Sequence, residues 1–359
     1  MNILALEPYF GGSHASFLKG WMAESSHDWT LLSLPAYKWK WRMRHSSVTL
    51  ARETATLVEK GRTFDRVFCS DMLNLAEFKG LVPRAVRDLP TVIYFHENQL
   101  TYPVRKEDER DYHYVLSNMI AALCASAVWF NSGFHLNSFL SALPDFLQKM
   151  PDYNTPEPVD QIREKSAVQY PGIRVQPHAP LLSRGPVRIL WAARWEHDKN
   201  PEDFFQALKR LKKKTVDFRL SVIGERFRDC PEVFTWAKEY FSEHIDHWGF
   251  IKDRSTYQQI LSQADIMVST ANHEFFGISV MEAAAAGAVP LLPRRLSYPE
   301  LFSEDEAFFY DGSVRGLAAQ LEQICTHNEY GRRSASAAQA AKRFEWPVRA
   351  REMDQALPG

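Results

Sequence analysis

The stretch 265–293, DIMVSTANHEFFGISVMEAAAAGAVPLLP, constrains the fold more tightly than any other part of the chain. Its succession of apolar and polar runs predicts a strand over 266–269, a loop over 273–277, a helix over 278–286 closed by Gly287, and a strand over 288–292. That is a strand–loop–helix–strand unit of a parallel sheet, where ligands lie outside the carboxyl ends of the strands. The alanines at 283–286 keep the helix thin enough to pack closely on its sheet. Gly277 lets the backbone approach a ligand, and the N–H groups of Phe275, Phe276, Gly277 and Ile278 at the helix start suit a phosphate. Glu274 in the loop and Glu282, eight residues later in the helix, conflict with an anion unless they hold something else. Sugar hydroxyls on either side of a diphosphate resolve the conflict, with Glu274 on a transferred hexose and Glu282 on a ribose. The plainer alternative is a capping glutamate followed by a core helix.

At 359 residues with 45% apolar content, the chain has material for two cores. A net charge of −1 means that any nucleic acid must be met by a local basic patch. Cys69, Cys124, Cys230 and Cys325 are far apart, which argues against a zinc ribbon and for a reducing compartment, the cytoplasm. A strand already over 2–6 is incompatible with a signal peptide. No apolar run reaches the roughly 18 residues needed to span a bilayer.

The first strand runs into Gly11, Gly12, Ser13 and His14, a glycine turn opening a helix from about residue 15 with Ser13 as its cap. Backbone N–H groups facing a ligand and an ordinary tight turn are both compatible with it. A second strand over 29–34 leads to PAYKWKWRMRH, 35–45. Read as extended chain, Lys38, Lys40, Arg42 and Arg44 form one face, and Trp39, Trp41 and Met43 the other. Cations neutralise phosphates and indoles stack on bases, so the segment suits RNA; a half-buried edge strand shows the same alternation. Further strands are expected over 67–70 and 91–95, with a helical segment over 73–79 between them. The strand over 91–95 ends in His96, Glu97, Asn98 and Gln99, polar groups suited to a cleft wall. His96 reads as a hydrogen-bonding partner of a sugar hydroxyl or as a satisfied core histidine; no metal partner stands at ligand spacing. A helix over 109–125 follows, with an acidic start that suits its dipole, then a strand over 128–132 whose Ser132 caps the next helix.

Eight of the 20 prolines fall within 144–186, which predicts the connection between domains there, with a boundary at 182. A strand over 187–192 restarts the pattern. Arg194 and Lys199 follow it, ahead of a helix opened by Pro201. Two cations at that place are positioned to neutralise a diphosphate. The lysine-rich run 209–214 reads as a solvated helix end. Helices are expected over 256–262 and 314–342, and an amphipathic one over 344–357.

The Glu274–Glu282 pair with its small-residue helix resembles the mark of the retaining GT-B glycosyltransferases, and Arg194 with Lys199-Asn200 resembles their diphosphate-gripping cations. EPYFGGSH, LPAYKWKWRMR, YFHENQLTYP and VWFNSGFHLNSF resemble a narrower group, the tRNA-queuosine mannosyltransferases. The resemblance implies an α/β protein of two Rossmann-like doubly wound domains facing each other across a cleft. Residues 1–182 would take the acceptor and 183–343 the nucleotide sugar, with 344–359 crossing back to the first domain. It further implies transfer of mannose from GDP-mannose to queuosine in a tRNA anticodon loop. Glu274, His96, Arg194 and Lys199 would act at the reacting centre. Gly11 to His14 would join Arg194, Lys199, residues 275–278 and Glu282 on the donor. Lys38, Lys40, Trp41, Arg42, Arg44, Glu97, Asn98 and Gln99 would meet the acceptor. There is no Asp-x-Asp beyond a strand, so the expected transfer needs no metal and no cofactor. A glycan or lipid acceptor, and a nucleotide-sugar epimerase on the same fold, are the competing functions; the chain shows no basic amphipathic membrane helix for the lipid version. An RNA binder with a dead site is disfavoured by the complete Arg194, Lys199, Glu274 and Glu282 set.

Overall fold

The computed structural model describes residues 1–104, 110–152, 154–174, 185–227, 229–302, 306–327 and 330–358. Among them, strands β1 (Asn2–Phe10), β2 (Asp28–Pro35), β3 (Arg66–Ser70), β4 (Thr91–Phe95), β5 (Ala127–Phe130) and β6 (Ser166–Val168) form one sheet in the order β2-β1-β3-β4-β5-β6. Strands β7 (Val187–Ala192), β8 (Phe218–Ile223), β9 (Ile245–Gly249), β10 (Ile266–Val268), β11 (Val289–Pro293) and β12 (Phe309–Tyr310) form another, in the order β12-β11-β10-β7-β8-β9. The paired strands run parallel throughout. Helices cover both faces of such sheets, which is why β4 and β11 are buried along their whole length and read as unbroken apolar runs.

Both orders reverse direction at one place. In the first sheet this switch lies between β1 and β3, and in the second between β7 and β10. A crevice opens where neighbouring crossovers leave in opposite directions, so each sheet has one favoured ligand position at its carboxyl edge.

The chain divides into two compact units, 1–172 with 346–359, and 173–345. The boundary read at residue 182 and the acidic residues 107–109 lie outside the described residues. The division at 172/173 falls inside the proline-rich segment 144–186, yet part of that segment is helix and strand. Pro144 sits inside the helix Gly133–Gln148, Pro158 lies in the first turn of the helix Glu157–Glu164, and β6 then pairs with β5. Proline suits a first helical turn, so its density alone does not mark a loop.

Two further readings need correction. The segment 35–45 is not an extended ribbon, because a helix runs over Trp39–Glu59 after Lys38 takes a left-handed φ of 50°. The buried residues Met43, Ser46, Ser47, Leu50, Ala51 and Thr54 recur at helical spacing, and this longer pattern outweighs the short alternation before it. Trp39 and Met43 share the face that packs on Tyr114. Ser13 is no cap either, since the helix Gly12–Glu24 begins earlier, with Gly11 in the cap position.

Candidate active site

In the second unit, the switch between β7 and β10 carries the polar residues of the 187–199 and 265–293 stretches. Beyond β7, Asn200 at φ 49° turns a short 3-10 turn (His197–Lys199) into the helix Pro201–Lys212 and points Lys199 back at the sheet. Thr270 Oγ1 donates to the Lys199 carbonyl at 2.9 Å, and Asn272 N to the Asp198 carbonyl at 2.8 Å, which ties this turn to the loop after β10. The Lys199 side chain is only 7% exposed. Its Nζ donates to the His273 carbonyl at 2.7 Å and lies 3.3 Å from Glu274 Oε2 and 3.1 Å from Asp198 Oδ2.

Burial disfavours both charges of the Lys199–Glu274 pair, yet each holds the other's charge. Burial pulls Lys199 down, but Glu274 and Asp198 outweigh it and raise its pKa above the usual lysine value. Burial pushes Glu274 up, but Lys199 and then Arg194 overcome it and hold the carboxyl below its usual range. Arg194 pairs with Glu196 at 3.1 Å. His273 is lowered to about 4, by burial and then by Lys199, so it is neutral at physiological pH.

The helix Ile278–Ala285 starts at the same place. Gly277 occupies its cap position at φ 93°, where a Cβ would also come within 3.0 Å of the Tyr298 ring. Ser279 Oγ donates to the Ala192 carbonyl at 2.7 Å, fastening the helix start to the end of β7. Ser297 Oγ donates to the Phe276 carbonyl at 2.9 Å. Phe275 and Phe276 are buried, so what they offer a ligand is backbone. Lys199, Glu274, Ser279 and Tyr298 line one cleft with Ala192 and Ser269. Arg194, Lys199, Glu274 and the 275–278 amides are thus brought to one switch point.

Glu282 is held differently. Arg254 pairs with its Oε1, and the Tyr257 hydroxyl donates to Oε2 at 3.1 Å. Burial raises its pKa, with Arg254 opposing. Arg254 and Tyr257 belong to the helix Arg254–Gln263, and nothing in the sequence tied them to Glu282.

In the first unit, the carboxyl edge at the β1/β3 switch gathers Glu7, His14, Asp71 and His96. Glu7 accepts from Tyr9 N at 2.9 Å, from Ser70 Oγ at 2.9 Å, and pairs with His14 Nδ1 at 3.2 Å. Burial lowers the pKa of His14, but Glu7 more than restores it and raises it to about 9. The rings of His14 and His96 are tilted by 35° with centroids 4.0 Å apart. Burial, then the His14 charge, keeps His96 well below the usual imidazole value. Three groups able to ligate a metal, Glu7, His14 and His96, lie within 4.8 Å of one another. His96 therefore does have neighbours at ligand distance, supplied by residues far off in sequence.

Among the expected acceptor groups, Asn98 is buried, with Oδ1 accepting from Leu100 N at 3.0 Å and Thr101 N at 2.8 Å, so it shapes its own turn. Gln99 donates to Glu97 Oε1 at 3.3 Å. Lys38, Lys40, Trp41 and Arg44 are exposed at the start of the helix Trp39–Glu59, Trp41 by 61%. Arg42 is half-buried, its Nε donating to the Pro35 carbonyl at 2.9 Å.

Two parallel sheets with a cation pair and a helix start at the second switch point define a GT-B glycosyltransferase. Residues 176–343 match the model of glycosyl transferases group 1, and residues 2–173 match that of the tRNA-queuosine alpha-mannosyltransferase N-terminal region. A tRNA-queuosine alpha-mannosyltransferase of Drosophila melanogaster is 35% identical over 339 residues, 90% of this chain and 87% of that protein. The chain belongs to the tRNA-queuosine alpha-mannosyltransferase family. A GDP-mannose-dependent alpha-(1-6)-phosphatidylinositol dimannoside mannosyltransferase of Mycobacterium tuberculosis is 26% identical over 55% of this chain and 53% of that protein. Among solved structures, sucrose-phosphate synthase from Thermosynechococcus elongatus has a TM-score of 0.73 at 13% identity, over 99% of this chain and 98% of that one. Anabaena HepE in complex with UDP and glucose has a TM-score of 0.68 at 15% identity, over 99% of both chains. No helix among the described residues is long and apolar enough to cross a membrane.

Proposed function

We propose that this enzyme transfers mannose from GDP-mannose to queuosine in a tRNA, with retention of anomeric configuration and without a metal ion, in the cytoplasm. The observation that carries the donor half is the buried Lys199 ammonium, held beside Glu274 at a switch point where the helix Ile278–Ala285 begins. As the hexose–phosphate bond breaks, charge grows on the nucleoside diphosphate. Lys199, Arg194 and the amides at 275–278 are preorganised donors for that charge, which is where such donors lower a barrier most. Glu274 orients the hexose. Glu282, steadied by Arg254 and Tyr257, takes the ribose. Family membership supports the acceptor half, and exposed cations with Trp41 supply a surface of the kind that binds RNA.

The test is incubation with GDP-mannose and total tRNA, followed by mass spectrometry of the released nucleosides. The expected product is queuosine heavier by one hexose. Consumption of GDP-mannose with queuosine unchanged would return the epimerase alternative. The same assay in excess EDTA is expected to retain its rate. Loss restored by Mg²⁺ or Mn²⁺ would sink the metal-free mechanism and direct attention to Glu7, His14 and His96.

A further inference from the structure

The cluster at the β1/β3 switch point of the first unit contains a carboxylate that the donor chemistry does not use. Asp71 follows β3 and is 1% exposed. Its backbone is fixed on both sides, with Asp71 N donating to the Tyr94 carbonyl at 2.9 Å and Asn118 Nδ2 donating to the Asp71 carbonyl at 3.0 Å. One side-chain oxygen, Oδ1, accepts from the His96 amide at 2.8 Å. The other, Oδ2, is buried without a hydrogen-bond partner, and so is Nε2 of His96. An unpartnered buried carboxylate oxygen is costly. Its geometry is over-determined by the His96 amide and Asn118, as a binding group's should be. Glu97, half-exposed in the next loop, adds a second carboxylate near enough to raise the Asp71 pKa. Glu7, by contrast, is satisfied by His14, Ser70 and Tyr9.

We infer that Asp71, with Glu97, is the receptor for a cationic amine on the acceptor, placed at the switch point of the first sheet. This rests on the proposed acceptor, because queuosine joins its cyclopentenediol to the base through a basic secondary amine. That amine is protonated at neutral pH, and it lies next to the diol that would receive the sugar. Fixing the ammonium therefore fixes the nucleophilic hydroxyl. Asp71 forms no covalent bond with the acceptor; its role is to bind and orient.

The charge state of Asp71 gives the inference a pH signature. Burial raises its pKa to about 8, with His14 opposing and with Glu97 and Glu7 adding to the rise. Cys69 and Tyr94 also face it, and burial raises both of them far enough to leave them neutral. Below about pH 8 the carboxyl holds a proton that the incoming ammonium must displace. Acceptor capture should therefore improve as pH rises towards that value.

The experiment is steady-state kinetics with GDP-mannose and queuosine-containing tRNA, for the wild type and Asp71→Asn, between pH 6 and 9. In the wild type, kcat/KM for the tRNA is expected to rise with pH. In Asp71→Asn the tRNA KM should increase by about tenfold or more, the usual scale for a hydrogen bond to a charged group, with kcat affected far less, and the rise with pH should disappear. If Asp71→Asn does not fold, as judged by its thermal transition, Glu97→Gln is the substitute, with the same KM increase expected. A wild type that transfers mannose while the variants keep an unchanged tRNA KM and pH profile overturns the amine receptor alone. A wild type inert on queuosine overturns the proposed acceptor and this inference together.

Discussion

Lys199 is a cation almost sealed from water, and its neighbours decide what it is for. A lysine buried in this way survives as a charge only because Glu274 and Asp198 stand beside it. In the proposed mechanism, replacing it with alanine removes one preorganised donor to the leaving diphosphate. Lys199→Ala should lower kcat/KM for GDP-mannose by about 10²- to 10³-fold, read from initial rates at subsaturating donor. Glu274→Ala should also lose most turnover. If both variants keep near-normal turnover, the second switch point is not the reacting centre. The placement of these two side chains was visible in the sequence because each follows a strand end in a recognisable loop. Arg254 and Tyr257 were not, since a contact across 28 or 25 residues leaves no local pattern. The same holds for Glu7, His14, Asp71 and His96, which only the folding of three strand ends brings together.

At the scale of the element, the helix Trp39–Glu59 shows how a local signal misleads. Seven residues of strict alternation, 38–44, predicted a strand. The helix wins because its buried positions recur every three or four residues as far as Thr54, and burial of that long stripe outweighs a short alternation at one end. The consequence for function is a redistribution of the cations. Arg42 is engaged with Pro35 and His45, whereas Lys38, Lys40 and Arg44 stay on the surface around exposed Trp41 and Tyr37. The charge that would meet RNA is therefore that of Lys38, Lys40 and Arg44. Reversing these three to glutamate should weaken tRNA binding and flatten its dependence on salt, with GDP-mannose affinity retained. Titrations at two ionic strengths measure both effects; an unchanged salt slope in the triple variant removes this surface from the acceptor site.

At the scale of the whole molecule, the doubly wound class of both sheets was legible from buried strands alternating with helices, while the short strands β6, β9 and β12 carry too few apolar residues to announce themselves. The last helix, Trp346–Ala356, returns to the unit formed by the start of the chain. Trp346, Ala350, Met353 and Leu357 share a core with Phe17, Trp21 and Trp129, and Asp354 accepts from Trp21 Nε1 and Ser25 Oγ, both at 2.8 Å. Trp346 fits only because two glycines make room: a Cβ at Gly20 or Gly172 would overlap its indole. This decides the sign of a substitution that local rules misjudge. Gly20 lies inside the helix Gly12–Glu24, where alanine would ordinarily stabilise by about 0.5–1 kcal/mol. Here the indole is 5% exposed and packed on all sides, so it cannot withdraw as a flexible side chain would. Gly20→Ala should instead destabilise by about 1–3 kcal/mol, the range for overpacked cores. Gly80 in the helix Leu75–Leu81 is the matched control, because a Cβ there meets nothing within 4 Å, and Gly80→Ala should be neutral or stabilising. Urea unfolding followed by tryptophan fluorescence compares the two, and a Gly20→Ala midpoint at or above that of Gly80→Ala would mean that the last helix is not seated on the first unit as described.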